Sequence, residues 1–231
     1  MKKINIAIDG FSGCGKSTLA RDLSNEIGYR FVDTGALYRA VTHLVLIAGR
    51  ADVSTAIEVL STKPELNFHA DSNHILINGL DAESEIRSAR VADSVSVVAA
   101  IPEVRDYLYD IQNEFVKSMG VVMEGRDIGS VIMPDAELKL FISARTEVRV
   151  QRRLLQMKSM GQSATDKDVL KNLIERDRKD MTRTTAPLRL VKDAIVIDNS
   201  ELSLQEQIKC VMAIYYPIVD PENILSGLVR N

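Results

Sequence analysis

Cysteine is scarce in this chain of 231 residues: Cys14 and Cys210 are the only two, so there is no disulfide framework and a reducing compartment, the cytoplasm, is the expected setting. No apolar stretch is long enough to span a bilayer. The N-terminal MKKINIAID carries an apolar run too short for the core of a signal peptide. Basic residues are not in excess either, with 29 Lys and Arg against 32 Asp and Glu and a formal net charge of −3. That balance argues against a nucleic-acid backbone or an anionic membrane surface as the main partner, while a locally basic pocket stays open. Repeats, low-complexity tracts and Pro/Gly/Ser linkers are all missing. What is present is 45% hydrophobic sequence, enough for a substantial core, at a length that suits one α/β domain carrying insertions.

Ile4, Ile6 and Ile8 with Ala7 form a short apolar run ending at Asp9 and Gly10, which suits a buried parallel strand. Leu19, Ala20, Leu23 and Ile27 then recur at helical spacing from Lys16, and Gly28 is a fitting stop. Further strands are expected at Phe31-Val32, Val121 to Glu124, Leu138 to Ile142 and Ala194 to Asp198. Helical stretches separate them, such as Pro102 to Lys117, where Val104, Leu108, Ile111 and Phe115 share a face. This alternation predicts a doubly wound parallel sheet with helices on both faces. Leu66 to Ala70 and His74 to Asn78 interrupt it as a small β-hairpin turning at Asp71-Ser72-Asn73. Between Arg145 and Arg183 the chain shifts to seven arginines among acids and glutamines, which predicts a charged helical excursion.

The eight residues Gly10-Phe11-Ser12-Gly13-Cys14-Gly15-Lys16-Ser17 match G-x-x-x-x-G-K-[ST] without a gap, between a predicted strand and a predicted helix. Glycines at these positions let backbone N–H groups turn inward onto phosphate oxygens, and the helix that follows presents its positive end to the same anion. Lys16 is then expected at the β- and γ-phosphates of ATP, and Ser17 at a Mg²⁺ ion bridging them, with Thr18 completing the loop. Such a loop serves GTPases, ATPase motors and small-molecule kinases alike.

Other segments narrow the choice. Thr34 and Arg39, in Asp33-Thr34-Gly35-Ala36-Leu37-Tyr38-Arg39, offer a hydroxyl and a planar fork just past a strand end; their plainer reading is a helix cap and a solvated charge. Arg126 and Asp127, in Glu124-Gly125-Arg126-Asp127-Ile128-Gly129, sit at a strand's carboxyl end facing the ligand crevice, or else pair with each other on the surface. Ser96 and Arg105 read plainly as a small polar residue in an apolar run and a first-turn helix charge. Downstream, Arg152-Arg153 and the run Glu175 to Arg183 supply guanidiniums of the kind a phosphoryl-transfer lid needs, with Glu175 and Lys179 read as an i,i+4 pair.

In this order, over nearly the whole chain, these motifs resemble the bacterial cytidylate kinases, a family of P-loop nucleoside monophosphate kinases. The resemblance implies transfer of the γ-phosphate of ATP to CMP or dCMP by a cytoplasmic monomer. It divides the chain into a core (1–35, 118–145 and 185–231), an acceptor-binding insertion of about 36–117 and a lid of about 146–184. Through it, Arg39, Arg126 and Arg183 are expected on the acceptor phosphate, with Thr34 beside them. Ser96, Arg105 and Asp127 would read cytosine, Arg176 and Asp180 would take the sugar, and Lys16, Arg126, Arg153 and Arg183 would act on the transferring group. The chain departs from the family pattern at Phe11, Cys14, Thr34 and Glu124, where Pro, Ala, Ser and Asp are more usual; no departure removes a charge or donor the chemistry requires. A kinase for UMP or a non-nucleotide acceptor would share the loop and lid arginines without needing Ser96, Arg105 and Asp127. A GTPase switch should carry N-K-x-D, which is missing. Cys14, among inward-pointing N–H groups, reads either as an acidified, reactive thiol or as a buried filler.

Overall fold

The computed structural model describes residues 2–159, 161 and 163–222. Its elements run β1 (Ile6–Gly10), α1 (Lys16–Ile27), β2 (Arg30–Asp33), α2 (Thr34–Ala48), α3 (Val53–Ser61), β3 (Leu66–Phe68), β4 (Ile75–Ile77), β5 (Leu80–Asp81), α4 (Glu83–Ile86), α5 (Ala89–Val98) and α6 (Pro102–Val116). After these come β6 (Val121–Glu124), a π-helical turn (Ile128–Ile132), β7 (Leu138–Ser143), α7 (Thr146–Ser159), α8 (Asp166–Thr182), β8 (Ile195–Asp198) and α9 (Leu204–Val219). Five strands form one sheet in the order β2-β6-β1-β7-β8, and all four pairings are parallel.

The apolar run of β1 is nearly continuous because both of its faces are covered. Ile6 and Ile8 pack with Leu19 and Leu23 of α1 and Val211 and Tyr215 of α9. Ala7 points the other way, into a core with Val32, Leu37, Val41 and Leu108. Helices therefore cover both faces of the sheet, as the alternating sequence pattern predicts. Gly28 closes α1 in the left-handed region (φ 67°), its N–H donating to the carbonyl of Ser24. Along α6, Val104, Leu108 and Phe115 are buried on one face with Ile111 packed beside them.

The predicted hairpin is larger than a hairpin. β3, β4 and β5 form a three-stranded antiparallel sheet whose Leu66, Phe68, Ile75 and Ile77 join the α2 and α6 side of the core. Its third strand is two exposed residues long and carries no apolar alternation. The turn into it was readable all the same: Asn78 and Gly79 both have positive φ (51° and 80°), the Asn-Gly form of a two-residue hairpin. α7 and α8 pack on each other around a small cluster of their own, Val150, Val169 and Leu173. Among the described residues no helix is long and apolar enough to cross a membrane.

Two glycines separate close packing from backbone preference. Gly10 (φ 147°) lies so near the backbone carbonyl of Ile142 that a Cβ would collide with it, whereas Gly79 has nothing within 4 Å of the same position. Gly79→Ala should cost about 1–2 kcal/mol in urea denaturation, and Gly10→Ala roughly 3 kcal/mol or more. Equal losses would show that the approach of Ile142 is not what requires glycine.

Candidate active site

Gly13 and Gly15 take left-handed conformations (φ 73° and 89°), and Gly15 caps α1 with no side chain bonded to its first turn. The amides at that helix end are therefore left for an anion. Lys16, 5% exposed, donates from Nζ to the carbonyl of Phe11 (2.9 Å), and Ser17 Oγ donates to Glu124 Oε1 (2.6 Å). The loop is braced from outside. Asn199 Nδ2 and Arg152 Nη1 donate to the carbonyl of Cys14 (2.8 and 3.2 Å), and Arg149 Nη1 donates to that of Ser12 (3.1 Å) while the amide of Ser12 donates to Asp177 (3.1 Å).

Parallel pairing sets the carboxyl ends of β2, β6 and β1 side by side, with Asp33 opposite Glu124 in the register. Asp33 caps α2 by accepting from the amide of Ala36 (3.0 Å), so Thr34 is not the cap; its hydroxyl donates instead to the carbonyl of Glu124 (2.8 Å). Burial alone would raise the Asp33 carboxyl, but Arg87, donating from 3.1 Å, and the Ala36 amide hold it below the usual range. Glu124 is raised, by burial and by the charge of Asp33, with Lys16 and Ser17 opposing.

Arg126 and Asp127 do not pair with each other. Arg126 Nε donates to Asp180 of α8 (2.8 Å), and although burial works against its charge, Asp180 and Glu124 hold that charge more firmly than usual. Asp127 accepts from Arg105 and, at 3.2 Å, from Arg183 Nη2. Burial pushes its carboxyl up while the two guanidiniums pull it down, with a net rise. Arg105 is no solvated first-turn charge either: it is 5% exposed and lies over the Tyr38 ring, 5.4 Å from its centre. Arg39 and Arg176 are each lowered to about 10, first by burial and then by neighbouring arginines.

A cleft of about 630 Å³ draws these parts together. Ser12, Gly13, Gly15, Lys16, Ser17 and Thr18 line one end of it; Thr34, Arg39, Ser96, Arg126 and Asp127 line the side expected to take the acceptor; Arg153, Arg176, Asp180 and Arg183 reach in from the α7–α8 side. Of the residues the sequence singled out, Gly10, Phe11, Cys14 and Arg105 do not line it. Arg105 stands behind the wall of the cleft, bonded to Asp127. Phe11 packs edge-on to Phe141 (5.6 Å) and offers its carbonyl to Lys16 and to the thiol of Cys14. That thiol is fully buried in the core behind the loop, with Leu19 and Leu23, which leaves the filler reading of Cys14. Arg153 donates to Gln156 (2.7 Å).

Sequence reasoning passed over Asp9, Asn199, Arg149 and Asp177, and gave Arg152 no role apart from Arg153. Arg149 and Asp177 form a buried pair at 2.5 Å, their side chains 7% and 8% exposed. Removing one partner of such a pair strands the other. Asp177→Ala should cost about 3–5 kcal/mol in chemical denaturation, whereas Arg149→Met with Asp177→Leu should recover most of the loss. A single mutant as stable as the wild type would show that the pair does not hold α7 and α8 to the loop.

The cytidylate kinase family model matches residues 6–216. A protein from Phocaeicola vulgatus named cytidylate kinase is 46% identical over 217 residues, covering 90% of this chain and 95% of its own. Another so named, from Parabacteroides distasonis, is 44% identical over 227 residues, covering 95% and 99%. A crystal structure of an uncharacterized protein from Eubacterium ventriosum matches with a TM-score of 0.50 at 12% identity, over 92% of this chain and 98% of that one; this likeness concerns the fold alone. The family match runs from the phosphate loop through the Gly-Arg-Asp turn to the arginines of α7 and α8, and with that span and that identity the chain belongs to the cytidylate kinase family.

Proposed function

We propose that this chain transfers the γ-phosphate of ATP to CMP or dCMP, giving CDP or dCDP and ADP. The observation that carries this reading is Asp127, a carboxylate held by two guanidiniums in the same cleft as the phosphate loop. Cytosine presents an amino donor at position 4 where uracil presents a carbonyl, and a carboxylate can only accept. UMP would set two acceptors face to face.

The elements support a division of labour. Within the described residues, 2–35, 118–145 and 185–222 are the core of this division, 36–117 the acceptor-binding insertion, and 146–159, 161 and 163–184 the lid; the rest of the expected core, residues 1 and 223–231, lies outside the described residues. Arg39, Arg126 and Arg183 take the acceptor phosphate beside Thr34. Ser96 and Asp127 meet the base with Arg105 behind them, and Arg176 and Asp180 meet the sugar. Arg39 makes no ion pair among the described residues, and Nε of Arg176 is buried without a partner, so this end of the cleft holds cationic charge that an anion would neutralise. Lys16, bonded to the Phe11 carbonyl, would exchange it for phosphate oxygens, with Arg153 on the lid side.

The donors suit a Mg²⁺ ion. Ser17 and Glu124 meet at 2.6 Å beside the loop, and among the described residues no group of three or more His, Cys, Asp or Glu forms a protein cage. Mg²⁺ keeps several waters and binds through one or two protein groups plus substrate phosphates, so Ser17 would hold it with Glu124 behind. When bound, it neutralises charge on the β- and γ-oxygens. No side chain needs to act as a strong base, since the acceptor is already a phosphate oxyanion; positioning and charge neutralisation suffice.

Lys16→Met should lower kcat by roughly 10²–10³-fold while leaving the melting temperature close to that of the wild type. Near-normal turnover with ATP and Mg²⁺ would contradict the role given to the loop. Asp127→Asn should lower kcat/KM for CMP by about tenfold or more. It should also narrow the CMP to UMP ratio, because an amide can donate to the uracil carbonyl. Wild-type enzyme that uses UMP as well as CMP would favour another acceptor; equal losses for both would reduce Asp127 to holding Arg105 and Arg183.

A further inference from the structure

Asp9 is the last side chain of β1 before the phosphate loop begins at Gly10, and it is 5% exposed. Its two oxygens do separate things: Oδ1 accepts from the amide of Ile128 (2.9 Å) and Oδ2 from that of Gly129 (2.8 Å). Those amides open the π turn immediately after Arg126 and Asp127. Glycine at 129 keeps the approach free, since a Cβ there would stand 3.4 Å from Oδ2 and 3.3 Å from the side chain of Lys139.

We propose that Asp9 is a positioning residue for the acceptor: by holding the amides of Ile128 and Gly129 it fixes where the Asp127 carboxylate meets the base, and it ties that turn to the start of the phosphate loop. The role rests on the CMP kinase reading. A buried carboxylate is costly, and this one makes no ion pair among the described residues. What it offers over a neutral side chain is two acceptor oxygens for two convergent N–H groups. Asparagine offers one, and its NH₂ would oppose the second amide. Burial, opposed by the two amide bonds, lifts the Asp9 carboxyl to about 6, with Asp127 raising it further and Lys16 lowering it. The other charged groups nearby are engaged elsewhere: Lys139 of β7 bonds Asp193 and the carbonyl of Pro134, and Glu124 of β6 bonds Ser17. Protonation below that range converts one acceptor into a donor and loosens the turn.

The test combines kinetics with NMR on the full chain. In D9N, kcat/KM for CMP should fall roughly tenfold or more, that for UMP should fall less, and KM for ATP should stay within about twofold. Taking the CMP to UMP ratio cancels the ionisation of the acceptor phosphate, which both nucleotides share. In wild-type protein the amide resonances of Ile128 and Gly129 should titrate together with a midpoint near pH 6, and in D9N that titration should vanish. A folded D9N enzyme with an unchanged CMP to UMP ratio overturns the proposal, as do amides that titrate in D9N as in the wild type. Should D9N fail to fold, hydrogen exchange in the wild type decides, and Ile128 and Gly129 amides that exchange as fast as unbonded ones overturn the proposal. Wild-type enzyme without a preference for CMP would instead refute the CMP kinase reading, leaving the amide titration as the test of the Asp9 clamp.

Discussion

The cleft depends on the parallel pairing of β6 between β2 and β1. That pairing puts Glu124 opposite Asp33 on one side and Ile8 on the other, so three strands release their chains at one edge. The chain leaving β6 has little room: a Cβ on Gly125 would sit 2.6 Å from Thr34 Oγ1 and 2.7 Å from the Ile128 side chain. Glycine there, with the bond from Thr34 to the Glu124 carbonyl, lets Arg126 and Asp127 emerge directly into the cleft. A residue of any size at 125 would have to push one of those groups away.

Around that edge four acids answer five of the molecule's own arginines. Asp33 answers Arg87, Asp127 answers Arg105 and Arg183, Asp180 answers Arg126, and Asp177 answers Arg149. Two charges about 4 Å apart interact by roughly 4 kcal/mol at an effective dielectric of 20, so each acid strongly fixes the position of its partner. Among the described residues Arg39, Arg153 and Arg176 make no ion pair, and burial has already weakened their hold on a proton. The paired cations are held in place, and the unpaired ones leave the cleft positively charged.

Much of this was legible in the sequence because it is local. The glycine loop, the helix opened by Lys16 and closed by Gly28, and the apolar run of β1 each lie within one short window whose pattern follows from the covering of both faces. The Glu175–Lys179 pair is local too, and forms at 2.9 Å. Most of what was missed is made at a distance. Asp9 meets Ile128 across 119 residues and Asn199 reaches Cys14 across 185, and nothing near either residue marks the partner. β5 was missed for another reason: the Asn-Gly turn announces it, but two exposed residues give no periodicity to follow. Phe11 and Cys14 belong to the loop motif by position, yet the motif specifies their backbone and leaves their side chains to the core.

The contrast between the two cysteines has a practical side. Cys14 is sealed behind the loop, while Cys210 is exposed on α9, a helix packed against α1 on the face of the sheet served by Val211 and Tyr215. A maleimide dye or nitroxide spin label added to the unmodified chain would therefore attach at one place, on α9. Paired with a second probe on α7 or α8, that native anchor would let fluorescence transfer or pulsed electron resonance follow those helices through a catalytic cycle, with no cysteine first having to be removed.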